Sequence, residues 1–318
     1  MTATHTPRNR QSLGSLSVSP LSLGGNVFGW TADESESFAV LDAYVAGGGN
    51  FIDTADVYSA WVPGNKGGES ETVLGNWLAS RGNRSDVVIA TKVGAHPDFK
   101  GLSAATIKSA VDLSLSRLRT DYIDLYYTHY DDESVEVGEF LTALDDLVRA
   151  GKVREIAASN ISAKRLEESL AFSAREGLAR YVALQPHYNL VSRDTYEGEL
   201  ADTAARHGLA AVPYYALASG FLTGKYRPGT TVDSARSGGA LKYADTDRGQ
   251  RVLQALDTVA AAHEAEQATV ALAWLAAQPT VAAPIASART VEQLPALLAV
   301  GDLTLTEAEL ALLNEASA

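Results

Sequence analysis

Eight short β-rich runs, separated by stretches of helical period, are the feature that most narrows what this chain can become. The runs are PLSLGG (20–25), FIDTA (51–55), VVIATK (87–92), YIDLYYTH (122–129), VREIAAS (153–159), YVALQ (181–185), AAVPYY (210–215) and VAAPIA (281–286). Between them the period changes. In SAATIKSAVDLSLSRLR (103–119), Ile107, Val111, Leu115 and Leu118 recur at three- and four-residue intervals, as a helix covering a sheet requires. VEVGEFLTALDDLVRAG ends on Gly151 and AKRLEESLAFSAREG on Gly177, where glycine accepts the left-handed cap conformation. TVALAWLAAQP stops at Pro279, which cannot continue a helical ladder. Short apolar strands alternating with amphipathic helices mean parallel strands with both faces covered. Eight such units are the number that closes a (β/α)8 barrel, so the chain is read as one domain over residues 1–318.

The competing architecture is an open doubly wound sheet. It would place a glycine-rich phosphate loop after its first strand, and no GxGxxG occurs in this sequence. Two segments read as loops: SAWVPGNKGG (59–68) and the long polar stretch 223–247, which is either a disordered insert or a cover over a bound molecule.

Composition removes several functions. The chain has no cysteine, so disulfides, thiolate nucleophiles and cysteine metal sites are excluded. Its formal charge of -13 disfavours nonspecific nucleic-acid or anionic-membrane binding. No run is apolar for the roughly 20 residues of a membrane span, and MTATHTPRNR does not lead into a signal-peptide core. A cytoplasmic enzyme fits these facts. The six histidines form neither HxH nor HExxH, which argues against a metal-dependent barrel hydrolase, and no metal ligand is assigned.

Barrel chemistry sits at the carboxyl ends of strands. Asp53 lies near the end of the second run, Tyr58 five residues later, Lys92 at the end of the third and His129 at the end of the fourth. Taken singly, each is an ordinary structural group. Taken together they have a common logic. A free phenol titrates near pH 10, too high for a proton shuttle at neutral pH. An ammonium from Lys92 would favour the phenolate, Asp53 would hold that ammonium, and His129 would orient a carbonyl oxygen.

With those residues in view, the chain resembles the aldo-keto reductases over nearly its whole length. NFIDTADVY (50–58), IATK (89–92) and YIDLYYTH (122–129) look like the segments that carry the catalytic Asp, Tyr, Lys and His. The resemblance implies a TIM barrel opened by an N-terminal β-hairpin, NADPH/NADP+ as cofactor, and reduction of small-molecule aldehydes or ketones with Tyr58 as general acid. It implies that Ser159, Asn160 and Gln185 bind the nicotinamide carboxamide. It implies further that Tyr215, rather than Tyr214, stacks on the ring. The run Leu217, Ser219, Gly220, Leu222, Thr223, Gly224 and Lys225 would surround the pyrophosphate, and Ser287, Arg289 and Gln293 would hold the adenosine 2'-phosphate. Arginine suits that last role through its fixed fork of donors.

Two positions depart from the family pattern. Leu297 stands where an Asn is frequent near the adenine, and SAWVPGNKGG is longer and more polar than the usual link from Tyr58 to Ser70 and Glu71. Trp30, Trp61 and Tyr130 are the candidate substrate contacts, as aromatic residues near strand ends. The alternative function is a cofactor-binding potassium-channel β-subunit with slow turnover. Physiological substrate and oligomeric state, a homo-oligomer included, are left open.

Overall fold

The computed structural model describes residues 10–227, 229–230, 232, 234–235 and 237–318. Its centre is an eight-stranded parallel sheet. The strands are β1 Ser22–Gly24, β2 Phe51–Asp53, β3 Val88–Val93, β4 Ile123–Thr128, β5 Val153–Ser159, β6 Tyr181–Gln185, β7 Ala210–Ala211 and β8 Ile285–Ala286. From β1 to β7 each strand pairs with the next in sequence, and β8 pairs with β1. The sheet curls until its ends meet. The Ala211 N–H donates to the Thr280 carbonyl at 2.7 Å, and the Ala282 N–H to the Ala211 carbonyl at 2.9 Å. The result is an α/β barrel.

Two of the eight runs yield strands of only two residues. Pro213 and Pro284 lack the N–H that a ladder needs, so β7 stops before Pro213 and β8 begins after Pro284. The stretch 223–247 is not irregular throughout. It contains the helix Ser237–Ala244, while Pro228, Thr231, Asp233 and Arg236 of the same stretch, like residues 1–9, lie outside the described residues.

The alternation of side chains along each strand divides the core in two. Outward positions such as Ile52, Ile89, Tyr126 and Leu184 pack under the helices with Leu74, Trp77, Ile107 and Leu118. Inward positions Phe51, Val88, Ala90, Leu125, Tyr127, Ala157 and Ala183 fill the barrel. Leu13, Leu16 and Val18 join that inner cluster from an antiparallel pair, Gln11–Leu13 with Leu16–Val18. Gly14, at φ 57°, turns the pair in the left-handed region that glycine favours.

The helices start and stop where their local chemistry dictates. Ser103 and Ser162 each accept the third helical N–H of the helices Ala104–Leu118 and Ala163–Glu176. Gly177 ends the second at φ 66°, and Gly151, at φ 73°, follows the helix Val137–Arg149. Gly75 lets the helix Glu69–Arg81 lie against Ala104–Leu118, since a Cβ there would come within 2.0 Å of the Arg117 carbonyl oxygen. Among the described residues no helix is long and apolar enough to cross a membrane.

Candidate active site

The inward columns of the barrel change character at their carboxyl ends. Phe51 is followed two residues on by Asp53, Ala90 by Lys92, Tyr127 by His129, Ala157 by Ser159 and Ala183 by Gln185. A period of two aims each of these polar groups along the line of the apolar residue before it. The registers set Gln185 opposite Ser159, while Asp53 stands opposite Ala90, one inward position before Lys92, so Lys92 reaches back to Asp53 along the barrel interior.

Lys92 is fully buried, and its ammonium is completely satisfied. Its Nζ donates to Asp53 Oδ2 at 2.7 Å, to the Thr54 carbonyl at 2.8 Å and to the Tyr58 hydroxyl at 2.9 Å. Three hydrogens meet three acceptors. Because the Tyr58 oxygen accepts from Lys92, its own hydrogen is free for Asp53 Oδ2, a long 3.3 Å away, or for the cavity that Tyr58 lines. Asp53 is held on its other side by Gln185, whose Nε2 donates to Oδ1 at 2.9 Å.

The electrostatics correct one expectation. Lys92 does not leave Tyr58 inclined to phenolate. Burial, reinforced by the Asp53 charge, pushes the phenol well above its ordinary value. Tyr58 therefore holds its proton at neutral pH, as a donor must. Burial pulls the Lys92 ammonium down, and the Asp53 carboxylate opposes that pull. His129 lies edge-on to Tyr58 with ring centroids 6.1 Å apart and stacks on Tyr130 at 4.9 Å. Burial, then the Lys92 charge, hold its imidazole well below the usual range, so it is neutral.

A cavity of about 880 Å³ opens over this cluster and runs to the far rim of the barrel. Ser159, Asn160 and Gln185 line it, but their side chains are already engaged. The Ser159 hydroxyl donates to the Gln185 carbonyl at 2.9 Å, and Asn160 Nδ2 to the His129 carbonyl at 2.8 Å. Tyr214 donates to Asn160 Oδ1 at 2.8 Å, which makes it a clamp on Asn160. Tyr215 lines the cavity with 53% of its surface exposed, on a left-handed backbone of φ 54°.

Further along the cavity come Leu217, Ser219, Gly220, Thr223 and Lys225. Ala218, Ser219 and Gly220 all have positive φ, a strained turn that carries the backbone along the cavity wall. Leu222 and Gly224 are not brought to the wall: Leu222 is fully buried in the outer core, and Gly224 faces the Gln267 side chain. At the rim lie Ser287, Arg289, Gln293 and Leu297. Ser287 donates to Asn26 Oδ1 at 2.9 Å, and Gln293 Oε1 accepts the Arg289 backbone N–H at 2.8 Å. The Arg289 guanidinium takes no ion pair among the described residues.

Trp61 and Tyr130, 49% and 53% exposed, line the cavity near Tyr58. Trp30 stands behind Trp61, edge-to-face at 5.5 Å, and is not part of the wall. Sequence reading did not find the Gln185–Asp53 and Tyr214–Asn160 contacts, since both join residues remote along the chain. It also passed over Asp56, which lies inside the NFIDTADVY motif and is buried.

Comparison with known proteins agrees with this geometry. The profile described as "Aldo/keto reductase family" matches residues 20–318. Norsolorinic acid reductase B of Aspergillus parasiticus is 33% identical over 95% of this chain and 81% of its own length. Protein tas of Escherichia coli is 34% identical over 93% of both chains. Aryl-alcohol dehydrogenase [NADP(+)] of Phanerodontia chrysosporium is 30% identical over 94% of this chain and 83% of its own. The chain is a member of the aldo/keto reductase family, and so an oxidoreductase.

Proposed function

We propose that the chain catalyses NADPH-dependent reduction of aldehydes or ketones to alcohols, with Tyr58 as general acid. The observation that carries this reading is the triply bonded Lys92 ammonium, which holds the Tyr58 oxygen at 2.9 Å on the wall of the cavity. Tyr58 keeps its proton until negative charge develops on a carbonyl oxygen beside it. Lys92 then stabilises the phenolate that remains, and Asp53 and Gln185 keep Lys92 in place. Neutral His129 donates a hydrogen bond to the same oxygen and adds no charge.

The cavity walls fit a dinucleotide. The left-handed turn at Ala218–Gly220 brings backbone close to a phosphate path, and Arg289 presents at the far rim a guanidinium without an ion pair among the described residues. Tyr215 would face the nicotinamide, Asn160 and Ser159 its amide, Lys225 the pyrophosphate, and Ser287, Arg289 and Gln293 the 2'-phosphate. Bound there, NADPH supplies the hydride. The antiparallel pair at residues 11–18 acts as the hairpin that stops the opposite end of the barrel.

Trp61, Tyr130 and Tyr215 offer three half-exposed aromatic surfaces, with no basic cluster beside them among the described residues, which favours a planar, apolar carbonyl compound. One relative, the aryl-alcohol dehydrogenase [NADP(+)], bears a name that fits that preference. The test is a panel of aromatic and aliphatic aldehydes and ketones with NADPH and NADH. Oxidation of NADPH, fastest with aromatic carbonyls, is expected. Absence of both tryptophan quenching by NADPH and turnover of any carbonyl would overturn the reading.

A further inference from the structure

Behind the wall that holds Lys92, on the helical side of the sheet, lies a second pair of carboxyls. Asp56 is 1% exposed and Glu71 0%. Glu71 is fully partnered: the Thr91 hydroxyl donates to Oε1 at 2.6 Å and Arg117 donates to Oε2 at 3.0 Å. Among the described residues no side chain reaches either oxygen of Asp56, and the adjacent Val57 N–H is near but outside good hydrogen-bond geometry. A buried carboxylate left that way is costly, whereas a buried neutral carboxyl is far less so. With two acids near one guanidinium that is committed to Glu71, the charge belongs on Glu71 and the proton on Asp56.

Asp56 is also tied to the reacting groups. It sits three residues after Asp53 and two before Tyr58, and its N–H points to the Lys92 carbonyl at 3.4 Å. The charged and titratable groups around it come from every neighbouring element: Lys92 from β3, the Tyr126 hydroxyl, without a partner among the described residues, from β4, Glu71 from the helix Glu69–Arg81 and Arg117 from Ala104–Leu118. His96, whose Nε2 is buried without a partner among the described residues, packs with the Asp56 carbonyl around Gly67.

Resting on the reading of Tyr58 as proton donor, we propose that Asp56 is a positioning residue for the Lys92–Tyr58 pair: uncharged it leaves Tyr58 an effective donor, and ionised it places a second negative charge behind Lys92 and weakens that donor. Burial, then the Glu71 charge, push the Asp56 carboxyl up to about 8, while the Arg117 charge, the neighbouring Val57 N–H and the Lys92 charge pull it back. Its ionisation therefore falls on the alkaline edge of the neutral range. The proton leaves to solvent, and the negative charge then favours the ammonium of Lys92 and the neutral phenol of Tyr58.

The test uses the full-length protein with carbon-13 in aspartate carboxyls and tyrosine Cζ, assigned with Asp56→Asn and Tyr58→Phe. One buried aspartate is expected to titrate at mildly alkaline pH, with the Tyr58 Cζ resonance responding at the same midpoint. Glu71→Gln removes the like charge and is expected to move that midpoint to lower pH. With a carbonyl substrate and NADPH, kcat should fall up to about tenfold as pH rises through the midpoint, the change that one unit in the donor's pKa represents. Asp56→Asn should abolish this fall. An Asp56 already ionised at acidic pH, a midpoint unmoved by Glu71→Gln, or a Tyr58 resonance blind to Asp56 each overturns the proposal. These resonances need no turnover, so a chain that reduces no carbonyl defeats the functional reading while the NMR still decides the charge on Asp56 and its link to Tyr58. If Asp56→Asn does not fold, the wild-type and Glu71→Gln titrations decide alone.

Discussion

The two ends of the barrel interior are built from the same strands and could hardly differ more. Away from the cavity Leu13, Leu16 and Val18 pack in one apolar cluster with Phe51, Val88, Leu125 and Val212. At the carboxyl end the next inward positions of these strands and their neighbours present Asp53, His129, Ser159 and Gln185 to the cavity, with Lys92 buried behind Tyr58 and Asp53. One end buries apolar surface and gains stability from it. The other buries a charged pair, whose desolvation repays little stability but fixes where a proton sits. Stability and chemistry are therefore separable along one axis, and substitutions at each end should fail in different assays.

The sharpest separation is expected at Tyr58. Under the proposed function, Tyr58→Phe removes one proton donor and should lower kcat by roughly 10²–10⁴. Melting temperature and NADPH affinity should barely change. A variant with wild-type turnover would strip Tyr58 of its role.

At the opposite end, Leu16→Ala leaves a cavity in the inner core and should cost about 2–5 kcal/mol of unfolding free energy, read by denaturant titration. Its kcat/KM, corrected for folded fraction, should match the parent. A fall in kcat with unchanged stability would break the contrast between the ends.

The smallest effect is expected at the rim. Arg289→Ala should weaken NADPH binding by about 1.5–3 kcal/mol, roughly 10- to 100-fold, the range for hydrogen bonds to a charged group. NADH binding should be nearly unaltered. Equal losses for both cofactors would remove the assignment of Arg289 to the 2'-phosphate.

Much of this was legible in the sequence because local rules suffice for it. The helix caps at Ser103, Ser162 and Gly177 follow from neighbouring residues, and VREIAAS and YVALQ became β5 and β6 over the very residues of those runs. The runs 210–215 and 281–286 shortened because proline removes a ladder donor, a rule that was also available. Leu222 could not be placed, since a motif lists neighbours along the chain and not which of them turn inward to the core.

The sequence by itself determined the alternation of strand and helix, the period that aims Asp53, Lys92, His129 and Gln185 into the barrel, and the chemical types at the strand ends. Only the tertiary structure decided how those groups share hydrogens. Lys92 divides three donors among Asp53, Thr54 and Tyr58, Gln185 turns to Asp53, and Asp56 is left without a side-chain partner among the described residues while Glu71 takes Arg117. The physical reason is that protonation and hydrogen-bond choice depend on burial and on charges a few ångströms away, contributed by residues tens of positions apart in the chain.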